Sequence, residues 1–330
     1  MQFNAYRLYK KNEQITSRFE KMSLDQLTAG EVVIRVDYSS VNYKDALILN
    51  GGAQILRASA LNGGIDLAGT VMESFSPRFS EGDKVMVCGG GLSEIFDGGF
   101  AEYARVPENI VLKIPDSFTE FEAMAIGTAG FTAALSLLRM EQNGQRPDQG
   151  PILVTGATGG VGSIAIDILS NQGYRVVALT GKTEQHDYLR AIGAHEIIDR
   201  NSLSMGDQLL EEELWAGAID NVGGDLLGWL TRTVKNYGNI VSVGMAGGEL
   251  AFPTTAMPFI LRGISLLGGS SIQPPSKLRD RIWARLATDL KPKHLQRIAT
   301  RTIGFEELPT VFDDYIKGRI VGRTVVKFSS

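Results

Sequence analysis

The stretch Pro151-Ile-Leu-Val-Thr-Gly-Ala-Thr-Gly-Gly-Val-Gly162, together with the residues just after it, decides the fold. Residues 152–155 form a short apolar, β-rich run with the length of a buried strand. A cluster of small residues comes next, and then Val161-Gly-Ser-Ile-Ala-Ile-Asp-Ile-Leu-Ser170, whose apolar positions recur at helical spacing. Arg175-Val-Val-Ala-Leu-Thr180 reads as a second strand and completes a βαβ unit. Gly159 and Gly162 fit the last two glycines of a G-x-G-x-x-G motif, and Ala157 stands at the first. Small residues there let the backbone approach a pyrophosphate, which then sits on the N–H groups of a helix N-terminus. A glycine turn alone is weak evidence, but a strand before it and a helix and strand after it point to dinucleotide binding.

Working outward, the alternation of strand and helix continues. Residues 184–192 read as a helix, 196–199 and 216–220 as strands, 226–234 as a helix, and 239–243 and 264–267 as strands. Six strands with interleaved helices predict a doubly wound parallel sheet. Upstream, residues 1–124 are β-rich: Glu31-Val-Val-Ile-Arg-Val-Asp-Tyr38, residues 64–72, 82–88 and 100–106 are strand candidates bounded by turns. The glycine-rich residues 89–99 read as a mobile loop that could serve as a lid. From Phe121 the period becomes helical, which marks a domain boundary near residue 124. Residues 320–328 read as one more strand with no helix after it, returning to the first domain. The fold class is therefore α/β, with a β-rich domain from residues 1–124 and 295–330 and a Rossmann domain from 125–294.

Composition narrows the function. Of 330 residues, 43% are hydrophobic and 21% charged, as in ordinary globular proteins. A net charge of −4 speaks against nucleic-acid binding. No long uninterrupted apolar run predicts a membrane span, and the N-terminus has no apolar signal region. The single cysteine, Cys88, permits no intrachain disulfide, which predicts a reducing, cytoplasmic setting. That cysteine and three histidines, His186, His195 and His294, have no ligand spacing, so no metal site is expected.

After the second strand of such a unit, an acid normally accepts the adenosine ribose hydroxyls and selects NAD. Here Thr180 takes that place and Lys182 supplies a positive charge, so the expected cofactor is NADP(H). Without a metal to polarise a simple ketone, hydride addition to a conjugated C=C bond is the easier chemistry, because the developing charge spreads onto a carbonyl.

Six stretches resemble a known family: Ser39-Ser-Val-Asn-Tyr-Lys-Asp-Ala46, Gly64-Ile-Asp-Leu-Ala-Gly-Thr70, Ile126-Gly-Thr-Ala-Gly-Phe-Thr132, residues 154–162, Trp215-Ala-Gly-Ala-Ile-Asp220 and Pro253-Thr-Thr-Ala-Met-Pro-Phe-Ile-Leu-Arg262. They are similar to the zinc-free quinone oxidoreductase branch of the medium-chain dehydrogenase/reductase superfamily, and within it to the acrylyl-CoA reductase (YhdH/AcuI-type) group. The resemblance runs almost end to end and implies a GroES-like catalytic domain beside the Rossmann domain. It implies Tyr43 and Thr132 near the nicotinamide, and Gly159, Gly160, Val161 and Gly162 at the pyrophosphate. Thr180, Gly181 and Lys182 would hold the 2′-phosphate, with Arg200 near the adenine, while Met245, Ile260, Ser271 and Arg323 match further cofactor-lining positions. Zinc-dependent relatives carry Gly-His-Glu where this chain has Gly64-Ile65-Asp66.

The group usually has Ser and Arg at Thr180 and Lys182, a proline at Gly63, and Gly-Ile-Asp-Ser where Gly268-Gly-Ser-Ser271 stands. Lysine keeps the charge and loses the bidentate fork. The implied reaction is NADPH-dependent reduction of acrylyl-CoA to propionyl-CoA, with Tyr43 as proton or hydrogen-bond donor and Asn42 as a donor to the thioester oxygen. Lys44, Arg57 and Arg78 are the candidates for the CoA phosphates. An NADPH:quinone oxidoreductase and a low-turnover NADPH-binding redox sensor remain alternatives. The resemblance also implies a homodimer paired along residues 264–271.

Overall fold

A computed structural model of the chain describes residues 1–328. It divides into two compact units, Met1–Thr128 with the chain from Ala299 onward, and Ala129–Ile298. The boundaries expected at 124 and 294 each fall four residues earlier than these. The first unit keeps the chain as far as Thr128 because Thr128 is hydrogen-bonded to Asp66, inside that unit's core.

The first unit opens with β1 (Gln2–Lys11) and β2 (Gln14–Ser23), a long antiparallel hairpin. Its two-residue turn, Asn12-Glu13, has positive φ at both positions, the mirror-image turn that matches the twist of paired strands. Next come β3 (Val32–Val41), the short helix α1 (Tyr43–Leu49), β4 (Ala60–Asn62), β5 (Asp66–Ser74), β6 (Lys84–Cys88), β7 (Tyr103–Val106) and β8 (Leu112–Lys113). β4 extends the hairpin to a three-stranded sheet, while β3, β5, β6 and β8 run in order through a larger one, with β7 also paired to β3.

The glycine-rich residues 89–99 are not a mobile lid. Eight of these eleven residues are buried, and Asp97 anchors them by accepting hydrogen bonds from Arg7 Nη1 (3.0 Å), Thr28 N (2.7 Å) and Asn62 N (2.8 Å). Gly98 and Gly99 donate to Asn62 O and Gly64 O. Composition reported small residues; it did not report that backbone pairing needs them small.

Helix α2 (Glu120–Gln142) begins in the first unit, breaks its helical geometry at Gly127 (φ 49°, ψ −156°), and continues into the second. It is long and apolar enough to cross a membrane by length and composition alone. However, 83% of its apolar window is buried within the protein, which is where those side chains find their partners.

The second unit carries β9 (Ile152–Val154), α3 (Gly160–Asn171), β10 (Val176–Thr180), α4 (His186–Ala191), β11 (Glu196–Asp199), β12 (Trp215–Asp220), α5 (Gly224–Thr233), β13 (Val234–Ser242), α6 (Met257–Arg262), β14 (Ser265–Gly268), α7 (Ser276–Leu286) and α8 (Leu295–Ile298). The six strands form one parallel sheet in the order β11-β10-β9-β12-β13-β14. β9, β10 and β12 are buried along their whole length, as strands covered on both faces must be. The chain reverses direction across the sheet between β9 and β12, and ligands of such sheets bind outside the strand ends at that reversal.

The chain then re-enters the first unit as β15 (Arg301–Gly304), α9 (Phe312–Ile316) and β16 (Thr324–Lys327). β16 pairs antiparallel with β3, and the buried Tyr315 hydroxyl donates to Val41 O at 2.9 Å. The terminal strand thus completes the first unit's sheet beside the start of α1.

Candidate functional site

Each unit carries part of the expected site. In the second, the chain leaves β9 through Thr155 and turns at Gly156, whose φ of +57° favours glycine. The left-handed residue of the turn is thus Gly156, one before the Ala157 expected from the motif; Ala157 is buried. Gly159 is the N-cap of α3, and its N–H donates to Gly156 O at 3.0 Å. A Cβ at Gly162 would lie 2.4 Å from Gly156 O, so the helix approaches the strand only with glycine there. A Cβ at Gly159 would meet only Gly156 O, at 3.3 Å. Gly160, Val161 and Gly162 form the first turn of α3, whose N–H groups have no intrahelical acceptor. A tight, small-residue turn leading into these N–H groups fits a pyrophosphate.

Thr155 and Asp220 brace this turn from the ends of β9 and β12. Thr155 Oγ1 donates to Asp220 Oδ1 at 2.6 Å and accepts from Asn221 N at 2.9 Å, while Gly223 N donates to Asp220 Oδ2 at 2.9 Å. Burial pushes the Asp220 carboxyl above its ordinary range, against the pull of these donors.

At the end of β10 the structure gathers Thr180, Gly181, Lys182 and Arg200. Thr180 Oγ1 accepts from Lys182 N at 3.1 Å. Arg200 Nη2 would stand 3.6 Å from a Cβ on Gly181, so its guanidinium lies beside the turn. Asn201 joins them, its amide directed at Gly181 O (3.4 Å) and its N–H donating to Asp199 Oδ1 at 2.9 Å. Sequence reasoning missed Asn201; the polar run directly after β11 was its only signal. Lys182 is half-buried, and that desolvation pulls its ammonium pKa down. A cation held there at a cost is a fitting partner for a phosphate.

Met245 lies in the loop after β13, which is held on the β12 turn by Ala246 N to Asn221 O (3.1 Å) and Gly247 N to Val222 O (2.9 Å). Ser271 lies just beyond the same end of β14. Ile260 is different. It is 73% exposed on α6, and Arg262 of that helix bonds Arg232 O and Val234 O at the opposite end of β13. The structure does not join Ile260 to the glycine turn. Thr132 is buried in the second half of α2.

In the first unit the centre is Asp66, with no exposed surface. Its Oδ2 accepts from Ser40 Oγ (2.7 Å), Asn42 Nδ2 (2.9 Å) and Thr128 N (2.9 Å), and its Oδ1 from Thr128 Oγ1 (2.5 Å). Arg323 Nη2 lies 3.9 Å away. The Arg323 guanidinium is 2% exposed and donates to Ala125 O, Val41 O, Asn42 Oδ1 and Ser40 Oγ. It therefore does not present itself to a cofactor, as the resemblance implied, but holds the core.

Asn42 is corrected likewise. Its Nδ2 serves Asp66 and its Oδ1 serves Arg323, so its amide is not available to a thioester oxygen. What it does is start α1: it is the N-cap, and its own N–H donates to Asp45 Oδ2 at 2.8 Å. Burial, ahead of the nearby Asp66 charge, pushes Asp45 up to about 7. Tyr43 is the first residue of α1, half-buried, and its hydroxyl makes no hydrogen bond among the described residues. Burial, ahead of the Asp66 charge, pushes the Cys88 thiol well above its ordinary range.

Of the three cations considered for CoA phosphates, Lys44 is paired with Glu94, and Arg78 donates to Glu108 O and lies over the Phe79 ring. Arg57 is exposed, and its side chain has no partner among the described residues. Among the described residues no group of three His, Cys, Asp or Glu converges as metal ligands do.

The chain matches two family models, an alcohol dehydrogenase GroES-like domain over residues 28–116 and a zinc-binding dehydrogenase domain over 160–287. It is 40% identical to the acrylyl-CoA reductase AcuI of Ruegeria pomeroyi over 327 residues, covering 98% of each chain. It is 44% identical over 326 residues, again 98% of each, to YhfP of Bacillus subtilis, which carries a quinone-oxidoreductase name. The crystal structure of YhfP with NAD bound superposes with a TM-score of 0.94 at 43% identity, covering 99% of each chain. That of Escherichia coli YhdH with NADPH gives 0.93 at 39%, covering 98% of this chain and 99% of that one.

A Cβ on Gly127 would stand 2.6 Å from Asp66 Oδ2 and 2.9 Å from Arg323 Nη2, at a backbone conformation closed to other residues. Gly127→Ala is expected to destabilise the protein by about 3 kcal/mol or more. Urea unfolding measures this, and an unchanged midpoint would refute the tight closure of the network.

Proposed function

The chain belongs to the zinc-free quinone-oxidoreductase branch of the medium-chain dehydrogenases/reductases, in the acrylyl-CoA reductase group, and from that premise we propose that it reduces the C=C bond of a short α,β-unsaturated acyl-CoA, acrylyl-CoA to propionyl-CoA, with NADPH. Membership makes it an oxidoreductase; the substrate is the proposal. The observation that carries it is the Tyr43 hydroxyl, which Asn42 places at the head of α1 and which no protein group engages among the described residues.

Gly159, Gly160, Val161 and Gly162 would hold the pyrophosphate, and Thr180, Gly181, Lys182 and Arg200 the 2′-phosphate, with Asn201 supporting the last turn. Met245, Ser271 and Thr132 would line the rest. Bound NADPH would supply a hydride to the β-carbon of the substrate. The negative charge that then develops on the thioester needs a donor at its oxygen and a proton at the α-carbon. With Asn42 engaged, Tyr43 is the group for that proton, and Asn42 contributes by fixing the helix. Arg57 is the cation left for a CoA phosphate.

YhfP favours a second reading, quinone reduction, in which a flat acceptor takes the hydride and Tyr43 donates to the quinone oxygen. We also propose that two copies pair along the free edge of β14. The exposed apolar side chains near that edge, Ile260 at 73%, Leu261 at 58% and Tyr237 at 81%, support this.

The first test is NADPH consumption with acrylyl-CoA against 1,4-benzoquinone. Propionyl-CoA should form mole for mole with NADPH consumed, and Tyr43→Phe should lower turnover by about tenfold or more while cofactor affinity holds. A preference for benzoquinone would establish the second reading, and tight NADPH binding without turnover of either would favour a redox sensor.

Lys182→Ala and Arg200→Ala should each remove a charge-assisted contact of about 1.5–3 kcal/mol, roughly 10- to 100-fold in Kd for NADPH, with little change for NADH. Equal losses for both cofactors in titration would overturn the 2′-phosphate assignment. Leu261→Asp should turn a dimer into a monomer in sedimentation; a monomeric wild-type protein would dismiss the pairing.

A further inference from the structure

We propose that Asn221 binds the nicotinamide riboside half of the dinucleotide, its side-chain oxygen accepting a hydrogen bond from a hydroxyl or amide N–H of that half. The inference rests on dinucleotide binding at the glycine turn and adds a contact that neither the motif nor the family match assigns.

Asn221 directly follows β12, and Thr155 directly follows β9. These two strands are neighbours in the sheet, and the chain's direction of winding reverses between them. Asn221 bridges that reversal: its N–H donates to Thr155 Oγ1 at 2.9 Å and its Nδ2 to Thr155 O at 2.7 Å. A backbone carbonyl only accepts, so the amide's NH2 must face Thr155 and its oxygen must face away. That oxygen, Oδ1, is buried with no hydrogen-bond partner among the described residues. A buried acceptor left unpaired is costly, and it calls for a donor from outside the chain.

The order of strands says which half of the ligand supplies it. The Lys182–Arg200 corner lies on β10 and β11, and the glycine turn lies on β9. A dinucleotide with its 2′-phosphate at the first and its pyrophosphate at the second extends its remaining half toward β12. The other unpaired buried side-chain atoms of this unit lie elsewhere. Trp215 Nε1 belongs to the opposite end of β12, and His186 Nε2 and Tyr188 OH belong to the chain after β10.

Residues 244–247 lie against Asn221: a Cβ on Gly244 would stand 3.0 Å from Asn221 O, and Ala246 N donates to that same oxygen. Oδ1 is enclosed in this arrangement, so the proposal requires the loop carrying Met245 to shift when the ligand enters. Gly244, Gly247 and Gly248 give that loop the freedom to do so.

The test compares two ligands by equilibrium titration, NADP+ and 2′-phosphoadenosine 5′-diphosphate, which has the 2′-phosphate and pyrophosphate but no nicotinamide riboside. Asn221→Ala should weaken NADP+ tenfold or more and the truncated nucleotide less than twofold. Asn221→Ser retains a donor for Thr155 O and lacks the carbonyl, so it should show the same selective loss even if the alanine variant folds poorly. Thr155→Val removes the hydroxyl that Asp220 and the Asn221 N–H share but keeps the carbonyl that holds the Asn221 side chain, and it should weaken both ligands alike. Equal weakening of both ligands by the Asn221 variants would reduce the side chain to a brace and overturn the proposal. No change for either would mean that water alone satisfies the oxygen, with the same consequence. Failure of the unaltered protein to bind either nucleotide would instead refute dinucleotide binding itself.

Discussion

A buried carboxylate, Asp66, and a buried guanidinium, Arg323, organise the first unit. Placing both charges in the interior is expensive, and their attraction offsets that cost only when every remaining donor and acceptor is matched. Ser40 and Asn42 do the matching, since each touches both partners: Ser40 Oγ donates to Asp66 and accepts from Arg323, and the Asn42 amide does the same with its two ends. Thr128 completes the carboxylate's shell. Four stretches far apart in sequence, around residues 40, 66, 127 and 323, therefore have to meet before the charges are satisfied. The chain's return to its first unit after residue 298 follows from this requirement together with the β3–β16 pairing.

The same arrangement bears on chemistry. Once Asn42 is committed to Asp66 and Arg323, it is a rigid N-cap, and the helix it starts presents Tyr43 first. The second unit repeats the device on a smaller scale. Asp220 is buried, is held by Thr155 Oγ1 and by Gly223 N, and fixes the ends of β9 and β12 around the glycine turn. In both units a short segment of small or hydroxyl-bearing residues has a buried carboxylate behind it. Positioning by buried, fully bonded groups is what allows such a segment to hold its geometry.

Local pattern carried much of this into view. The βαβ unit around residues 152–180, the later strands and the terminal strand can all be read from period and glycine placement, because strand and helix spacing are properties of neighbouring residues. The hairpin of β1 and β2 left a weaker trace, since Asn12-Glu13 is not a glycine turn and adopts positive φ only because the paired strands require it. Side-chain partners left no trace. Asn42 and Arg323 look like site residues in sequence, and only the fold brings Asp66 between them. Residues 89–99 look mobile for the same reason: their composition is visible, and the Arg7–Asp97 pair that anchors them is formed by residues 90 positions apart. Gly127, the tightest point of the network, reads in sequence as an interruption of a helix.

In the corner proposed for the 2′-phosphate, the placement of charge bears on the choice between NAD and NADP. An acid at the end of β10 would accept ribose hydroxyls, and this chain does have an acid nearby: Asp199 is the register partner of Thr180 on β11. Its carboxylate, however, is directed to Asn201 N, where it caps the turn that carries Arg200. The carboxylate thereby braces the turn that carries Arg200, and Thr180 and Gly181 keep the space beside it small and neutral. Lys182 is half-buried in the same corner, where desolvation works against its charge. The 2′-phosphate proposed for this corner would bring a charge-assisted contact to that ammonium, which NAD would not. The crystal structures of YhfP with NAD and of YhdH with NADPH share this fold at TM-scores of 0.94 and 0.93.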